Sequence, residues 1–132
     1  MERLVMSVGS GDDGCVAVLL EGELDLEVCD ALESALRALS SGTGQHLVLD
    51  LRRLRFLDST GLRAIVSIVR SVEREGGTLR LIQGPWQIRR VFELTGMDRT
   101  IRFVAADDLT PIPGNDALSS TVRLASSGSI AS

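Results

Sequence analysis

The sequence has no lysine and no tyrosine, and it has a single histidine, His46. Without lysine the chain cannot form a Schiff base, and it cannot supply the lysine of a Walker-type phosphate loop. One histidine and two cysteines do not make up an ordinary zinc site. These absences exclude enzymes that depend on a covalent lysine or on a zinc ion held by the protein alone.

Long apolar runs are also missing. No stretch approaches the roughly 20 apolar residues that a membrane-spanning helix requires, and Met1 leads into a short apolar strand rather than a signal peptide. We therefore expect a cytoplasmic protein without membrane contact, in which Cys15 and Cys29 are reduced and structural. The 132 residues, of which 44% are hydrophobic, are enough for one domain with one core.

The charge is unevenly distributed along the chain. Residues 1–50 carry two arginines and ten acidic residues, whereas residues 51–102 carry eleven arginines and five acidic residues. The net charge of -4 argues against direct binding of nucleic acid, which favours basic surfaces. The asymmetry fits either a surface that orients a protein partner or an ordinary solvated surface.

The hydrophobic pattern predicts alternating strands and helices, with Gly22 ending the second strand and residues 52–57 forming a connector. Such alternation requires crossover connections, so we expect an α/β fold. It would be a single domain with a mainly parallel mixed sheet of about five strands, flanking helices and an N-terminal β-hairpin. The predicted elements are a hairpin over residues 3–20, helices over 26–39, 58–74 and from Pro85 to about 95, and strands over 46–51, 78–82 and 101–104.

The last part of the chain has a different composition. Residues 1–108 hold the predicted domain, and residues 109–132 are rich in small and polar residues. We expect a flexible tail there, with a short helix over 117–124 as the alternative. Within the domain, Leu26 belongs to the predicted core stripe of the first helix, and packing in the core or a connector is expected of the four aromatic residues. These are Phe56, Trp86, Phe92 and Phe103.

Two polar segments follow predicted strands, at residues 21–25 and 56–61. The carboxyl ends of parallel strands share one edge of a sheet, where ligands and partners gather. Asp25, Asp58 and Ser59 could each act simply as helix caps. Ser59 is not a hydrolase nucleophile, because His46 lies at the opposite end of its strand. The glycines of residues 9–14 lie in a hairpin and not between a strand and a helix, so they do not form a phosphate loop.

Four segments, taken in order, resemble a STAS-domain anti-sigma-factor antagonist. The resemblance covers about residues 3–106, and the chain departs from the family in its extension after Asp108. The segments are Gly22-Glu23-Leu24-Asp25, then Leu47–Leu51 leading through Phe56-Leu57 into Asp58-Ser59-Thr60-Gly61-Leu62, then Gly76-Gly77, and finally Arg90–Met97 with Ile101-Arg102-Phe103.

The resemblance implies a bacterial regulator of transcription, in stress response or sporulation, that is not an enzyme and needs no cofactor. In this family the serine that follows the aspartate, here Ser59, is phosphorylated by an anti-sigma factor with serine kinase activity. The unphosphorylated form binds that kinase and releases a sigma factor, and a serine phosphatase resets the switch. ATP and magnesium would belong to the kinase, and the antagonist would be a monomer or weak dimer.

We predict that Ser59 accepts the phosphate, with Thr60 as the alternative. The docking edge would be shaped by Asp25, Asp58, Thr60 and Gly61, with Gly61 small to allow close approach of the partner, and flanked by Glu23, Leu62 and Arg63. Two other hypotheses remain. One is a non-switching STAS adaptor in a stress-sensing complex or a lipid-transport machine, and the other is weak nucleotide binding or hydrolysis.

Overall fold

A mixed β-sheet with helices packed against it forms the described part of the chain. The computed structural model describes residues 2–10, 15–39, 46–105, 118–125 and 130–131. The strands are β1 (Glu2–Ser10), β2 (Cys15–Leu24), β3 (His46–Leu57), β4 (Thr78–Ile82), β5 (Phe103–Val104), β6 (Leu118–Ala125) and β7 (Ile130–Ala131). The helices are α1 (Leu26–Leu39), α2 (Ser59–Arg74) and α3 (Trp86–Thr95), and a 3₁₀ turn follows at Met97–Arg99.

The sheet has the strand order β5-β4-β3-β2-β1-β6-β7. Strands β2 to β5 pair in parallel, as helical crossovers require. Strands β1, β6 and β7 extend the sheet by antiparallel pairing. The predicted α/β class, amino-terminal hairpin and five-stranded mixed sheet are confirmed, and β6 and β7 add two strands to it.

Strands β2 and β3 are longer than the sequence pattern predicts. Gly22 does not end β2, because its backbone adopts φ 122°, which is open to glycine, and the register with β3 shifts beside it. Beyond this bulge Leu24 pairs with Leu57. The prediction of a connector over 52–57 is therefore wrong: once β2 continues past Gly22, it offers backbone partners to that segment, and Leu54 and Leu57 are buried.

The core lies between the sheet and the helices. Helix α2 buries Leu62, Ile65 and Val69 on its apolar stripe, as predicted. Leu26 is 68% exposed, so its predicted core position is wrong: α1 begins there, and its buried face starts at Val28.

The aromatic residues divide between core and surface. Phe92 is fully buried and meets Phe103 edge to face, with ring centroids 5.2 Å apart. Core packing is wrong for Trp86, which is 68% exposed. Phe56, expected in a connector, lies in β3 and is 46% exposed. Trp86 is the first residue of α3, where its ring instead lies under the Arg90 guanidinium, at 5.2 Å.

The carboxyl-terminal segment contributes to the sheet. Residues 118–125 form β6, which pairs antiparallel with β1, so the alternative of a short helix over 117–124 is wrong. The reason is that β1 has an edge left open by β2, and backbone groups at that edge accept another strand. Pro111, Pro113 and Gly114 lie outside the described residues. The flexibility of the tail as a whole stays a prediction.

Candidate functional site

The ends of β2 and β3 bring the two polar segments together. Leu24 and Leu57 are partners in the parallel ladder, so the residues that follow them, Asp25 and Asp58, leave the sheet side by side. The start of α2 also lies against the end of β2: a Cβ atom placed on Gly61 would sit 2.6 Å from the carbonyl oxygen of Leu24. The two loops therefore lie together at one edge of the sheet, as expected.

Both aspartates cap helices. Asp58 is the N-cap of α2, and its Oδ1 accepts a hydrogen bond from the Gly61 amide at 2.8 Å. Asp25 Oδ1 accepts from the Glu27 amide in the first turn of α1, at 3.1 Å. These bonds satisfy amides that have no partner within the helix. The capping role predicted for the two aspartates is therefore present, and both remain half-buried at the edge.

Ser59 is the first residue of α2, and its side chain is exposed. Its hydroxyl has no hydrogen bond to any other described residue, so it is open to a partner's active site. The neighbouring hydroxyl of Thr60 belongs to a half-buried residue. Of the two hydroxyl-bearing residues, Ser59 is the more accessible.

Gly61 and Leu62 lie beneath this edge rather than on it. Both are buried, and an added Cβ at Gly61 would also come within 2.9 Å of Leu57 Cδ1. The small size of Gly61 is therefore required by contact inside the protein, and the predicted reason, room for a partner, is corrected. The two residues shape the site from below, whereas Arg63 is exposed and Glu23 is half-buried.

A groove leads away from Ser59 between α2 and the end of α3. Its volume is about 290 Å³. Arg63 and Arg70 project from α2 on one side, and Thr95 and Met97 close the other. The remaining lining residues are Ser59, Leu62 and Val66. The spacing of Arg63 and Arg70, seven residues apart on a helix, could have been found from the sequence. Thr95 and Met97 lie in the last segment of the resemblance, but no sequence signal places them beside α2.

Two exposed apolar side chains adjoin the acidic loop. Leu26 directly follows Asp25, and Phe56 is the ladder partner of Glu23. A single exposed apolar side chain is ordinary, but exposed apolar groups rimmed by polar residues are a feature of protein-interaction sites. The sequence pattern places Leu26 on the apolar stripe of α1 and Phe56 in a connector, so it does not indicate either residue as a candidate for partner binding.

The thiol of Cys29 lies under the same edge, and its pKa responds to the negative charge there. It donates a hydrogen bond to the carbonyl oxygen of Asp25 at 3.0 Å. Burial, followed by the negative charges of Asp58, Glu33, Asp25 and Asp30, raises the pKa of Cys29 to about 11. Such a thiol is unreactive at neutral pH, which agrees with the structural role predicted for Cys29. Cys15 is half-buried, and neither cysteine forms a disulfide.

The described residues do not favour serine hydrolysis, metal binding or membrane spanning. His46 is exposed at the start of β3, where its Nδ1 lies 2.8 Å from Thr78 Oγ1. The strand runs on to Leu57, about 35 Å at 3.3 Å per residue, so His46 cannot activate Ser59. The described part of the chain contains no group of three or more His, Cys, Asp or Glu residues that could hold a metal ion. None of its helices is long and apolar enough to cross a membrane.

Comparison with known proteins gives consistent matches. A family model for the STAS domain matches residues 10–108. The anti-sigma-F factor antagonist RsfB of Mycobacterium tuberculosis is 32% identical over 114 residues, which cover 83% of this chain and 91% of RsfB. The crystal structure of an anti-sigma factor antagonist from Mycobacterium paratuberculosis superposes with a TM-score of 0.67 at 29% identity, covering 79% of this chain and 89% of that one.

Bacillus SpoIIAA shares the fold in two forms. The unphosphorylated form has a TM-score of 0.65 and the phosphorylated form 0.59, both at 20% identity. They cover 78% of this chain, and 90% and 94% of their own chains.

Proposed function

This chain belongs to the STAS-domain family, and we propose that it is an anti-sigma factor antagonist switched by phosphorylation of Ser59. It would be a binding module rather than an enzyme. Its unphosphorylated form would bind an anti-sigma factor that is also a serine kinase, and so release a sigma factor. The observation that carries the proposal is an exposed serine at a helix start, on the edge where Asp25 and Asp58 meet.

The surface around Ser59 suits a protein partner. It combines negative charge at Asp25 and Asp58, positive charge at Arg63, and exposed apolar side chains at Leu26 and Phe56. Apolar groups at an interface supply affinity, and the charges beside them orient the partner. A kinase that docks on this edge would have the Ser59 hydroxyl within its reach.

The phosphorylation step requires little of this chain. Ser59 Oγ would attack the γ-phosphorus of ATP held with magnesium by the kinase, as the bond from that phosphorus to the β–γ bridging oxygen breaks and ADP leaves. The hydroxyl proton would pass to a base of the kinase. A serine phosphatase would hydrolyse the phosphoserine and restore the hydroxyl. The antagonist supplies only an accessible oxygen, so it needs no cofactor of its own.

The charge of the phosphate explains how binding would be switched off. Phosphorylation adds about -1.5 to -2 charges beside Asp58 and Asp25. The α2 amino terminus offsets about 0.3 to 1 kcal/mol of this locally, so the fold survives. An interface formed around a hydroxyl would lose several kcal/mol on burying a dianion, and every 1.4 kcal/mol is tenfold in affinity. The phosphorylated and unphosphorylated forms of SpoIIAA support the view that a fold like this one tolerates the modification.

The proposal can be tested by capture from the source cell. Tagged wild-type protein should recover a kinase-fold anti-sigma factor, and Ser59→Asp should lose it by tenfold or more. Ser34→Asp is the matched control, because Ser34 is an exposed serine of α1 and receives the same charge. Mass spectrometry after incubation with the recovered kinase and ATP should place the phosphate on Ser59. The label should vanish in Ser59→Ala and persist in Thr60→Val.

Other results would support the alternatives. A Ser59→Asp variant that keeps the same partners as wild type would indicate a constitutive STAS adaptor, in a stress-sensing complex or a lipid-transport machine. Heat of binding with ATP or GTP in calorimetry would support the nucleotide hypothesis. A phosphate mapped to Thr60 would keep the switch but move its acceptor.

A further inference from the structure

Ser59 and Arg63 are placed to form an ion pair once Ser59 carries a phosphate. They are four residues apart on α2, a rise of about 6 Å along the axis, and both line the groove beside α3. Within a helix, an anion four residues before a cation is the favourable order. The same order is already used in α1, where Glu33 and Arg37 lie 3.6 Å apart.

Arg63 is available for this role. Its side chain is exposed, and it makes no ion pair with any other described residue. Near Ser59, Asp58 and Asp25 at the sheet edge repel a phosphate and Arg63 attracts it, whereas Arg70 lines the groove farther along α2. From the side of α3 and the 3₁₀ turn, the groove is lined by the uncharged Thr95 and Met97.

We propose that Arg63 holds the phosphate of phosphorylated Ser59, so that the switched-off state contains an internal ion pair at the mouth of the groove. The proposal rests on the proposed function, since it takes Ser59 as the acceptor. A guanidinium forms strong, charge-assisted hydrogen bonds with phosphate oxygens. The cation that faces the partner in the unphosphorylated protein would then be engaged by the phosphate, and the partner would lose an attractive charge as well as meet a repulsive one.

Arg70 provides a matched control. It is a second exposed arginine of α2 that lines the same groove, but it lies eleven residues from Ser59, about 16 Å along the axis. Arg70→Gln therefore removes the same charge from the same groove without removing a group that can reach the phosphate. Arg63→Lys is a second informative variant, because it keeps the charge but loses the planar, two-pronged geometry.

The experiment installs phosphoserine at position 59 of the full chain during translation, so that no kinase is needed. ³¹P NMR then follows the loss of the second phosphate proton. The titration midpoint should be higher by about 0.3 pH unit or more in Arg63→Gln than in wild type, because an adjacent cation favours the dianion. Arg70→Gln should match wild type, and Arg63→Lys should fall between wild type and Arg63→Gln.

A second measurement observes Arg63 directly. Its side-chain Nε–H resonance, assigned by its absence from Arg63→Lys, should move when phosphoserine replaces Ser59, and the Arg70 resonance should not. Equal midpoints in wild type and Arg63→Gln, or an unmoved Arg63 resonance, would overturn the proposal. If the ion pair forms but no kinase of the source cell labels Ser59, the proposed function fails while the ion pair stands.

Discussion

Asp58 combines two roles that substitutions can separate. Its Oδ1 caps α2 through the Gly61 amide, and its charge lies beside Ser59. Asp58→Ala removes both, and we expect it to lower the free energy of unfolding by about 1 kcal/mol. Asp58→Asn keeps an acceptor oxygen, so it should cost only a few tenths of a kcal/mol. Urea unfolding of the two variants measures the difference.

Asp30→Ala is the control for this pair, because Asp30 is an exposed acidic residue within α1 and caps nothing. It should leave the free energy of unfolding within about 0.5 kcal/mol of wild type. Equal losses in Asp58→Ala and Asp58→Asn would show that the carboxylate charge, and not the cap, stabilises the start of α2. Partner binding by Asp58→Asn would then report the role of the charge in docking.

Gly61 holds α2 close to the sheet. In Gly61→Ala the new methyl group would lie 2.6 Å from the backbone oxygen of Leu24, which cannot swing aside as the end of a side chain can. We expect the substitution to lower the free energy of unfolding by about 1 to 3 kcal/mol, as overpacking does. Thermal or urea unfolding measures it, with the exposed helix substitution Ser34→Ala as a control. A Gly61→Ala protein as stable as wild type would contradict the close contact described for the two loops.

At the level of elements, the helices could be predicted from the sequence and the ends of two strands could not. An aspartate cap and an apolar stripe with helical spacing predict helix α2, and both features are local in the sequence. The continuation of β2 past Gly22 depends on pairing with β3, a contact between residues that are distant in the chain. In the sequence a glycine predicts the end of a strand, whereas in this sheet Gly22 forms a bulge and the strand continues.

The candidate site follows the same division. Asp25, Asp58 and Ser59 could be placed together, because parallel strands end at one edge and each of these residues follows or caps such an end. The groove could not be predicted, since Thr95 and Met97 reach it only through the packing of α3 and the following turn beside α2. The exposure of Leu26 and Phe56 could not be predicted either, because hydrophobic pattern alone does not distinguish a core position from an exposed contact.

The pairing of β6 with β1 leads to a prediction for a shortened chain. A protein ending at residue 108 would lack β6, so one side of β1 would present unpaired backbone groups from Glu2 to Gly9. We expect such a protein to fold, because residues 10–108 match the family model, but to unfold at a lower temperature and to self-associate through β1. Calorimetry and light scattering after size exclusion measure the two effects.

A full-length variant separates the loss of β6 pairing from the loss of chain length. Thr121→Pro in the full chain removes a backbone donor from β6, opposite Ser7, without shortening the protein. It should shift the unfolding temperature in the same direction as the truncation. A truncated protein with unchanged stability and mass would mean that β6 adds little to the sheet, as expected of a flexible tail.

At the scale of the whole molecule, the structure shows where the acidic and basic parts of the sequence meet. The acidic first third contributes Asp25 and its neighbours, and the basic middle contributes Arg63 and Arg70, so the site lies where the two parts of the chain meet. Phosphate on Ser59 would move this boundary toward the groove. A partner that reads the boundary should therefore bind less tightly as salt rises, since exposed charges are screened beyond about 10 Å at 0.1 M.

The lack of lysine and tyrosine makes the alkaline stability of the molecule unusually informative. These residues normally titrate near pH 10, and the arginines of this chain stay protonated there. Cys29 is the buried group expected to respond, because its pKa rises from 9.0 to about 11 on folding. The folded state thus holds the proton more tightly than the unfolded state. Stability from this difference is fully present below pH 9.0 and is lost as the pH rises through about 11.

We therefore expect the free energy of unfolding of the wild type to fall between about pH 8 and about pH 11, and that of Cys29→Ala to fall less. Urea unfolding at the two pH values measures both slopes. The alanine variant starts from a lower stability because it leaves a small cavity, so the slopes and not the absolute values are compared. Cys15 is present in both proteins and cancels from the difference. Equal slopes would mean that the Cys29 thiol is not held in its protonated form by the burial and the acidic edge above it.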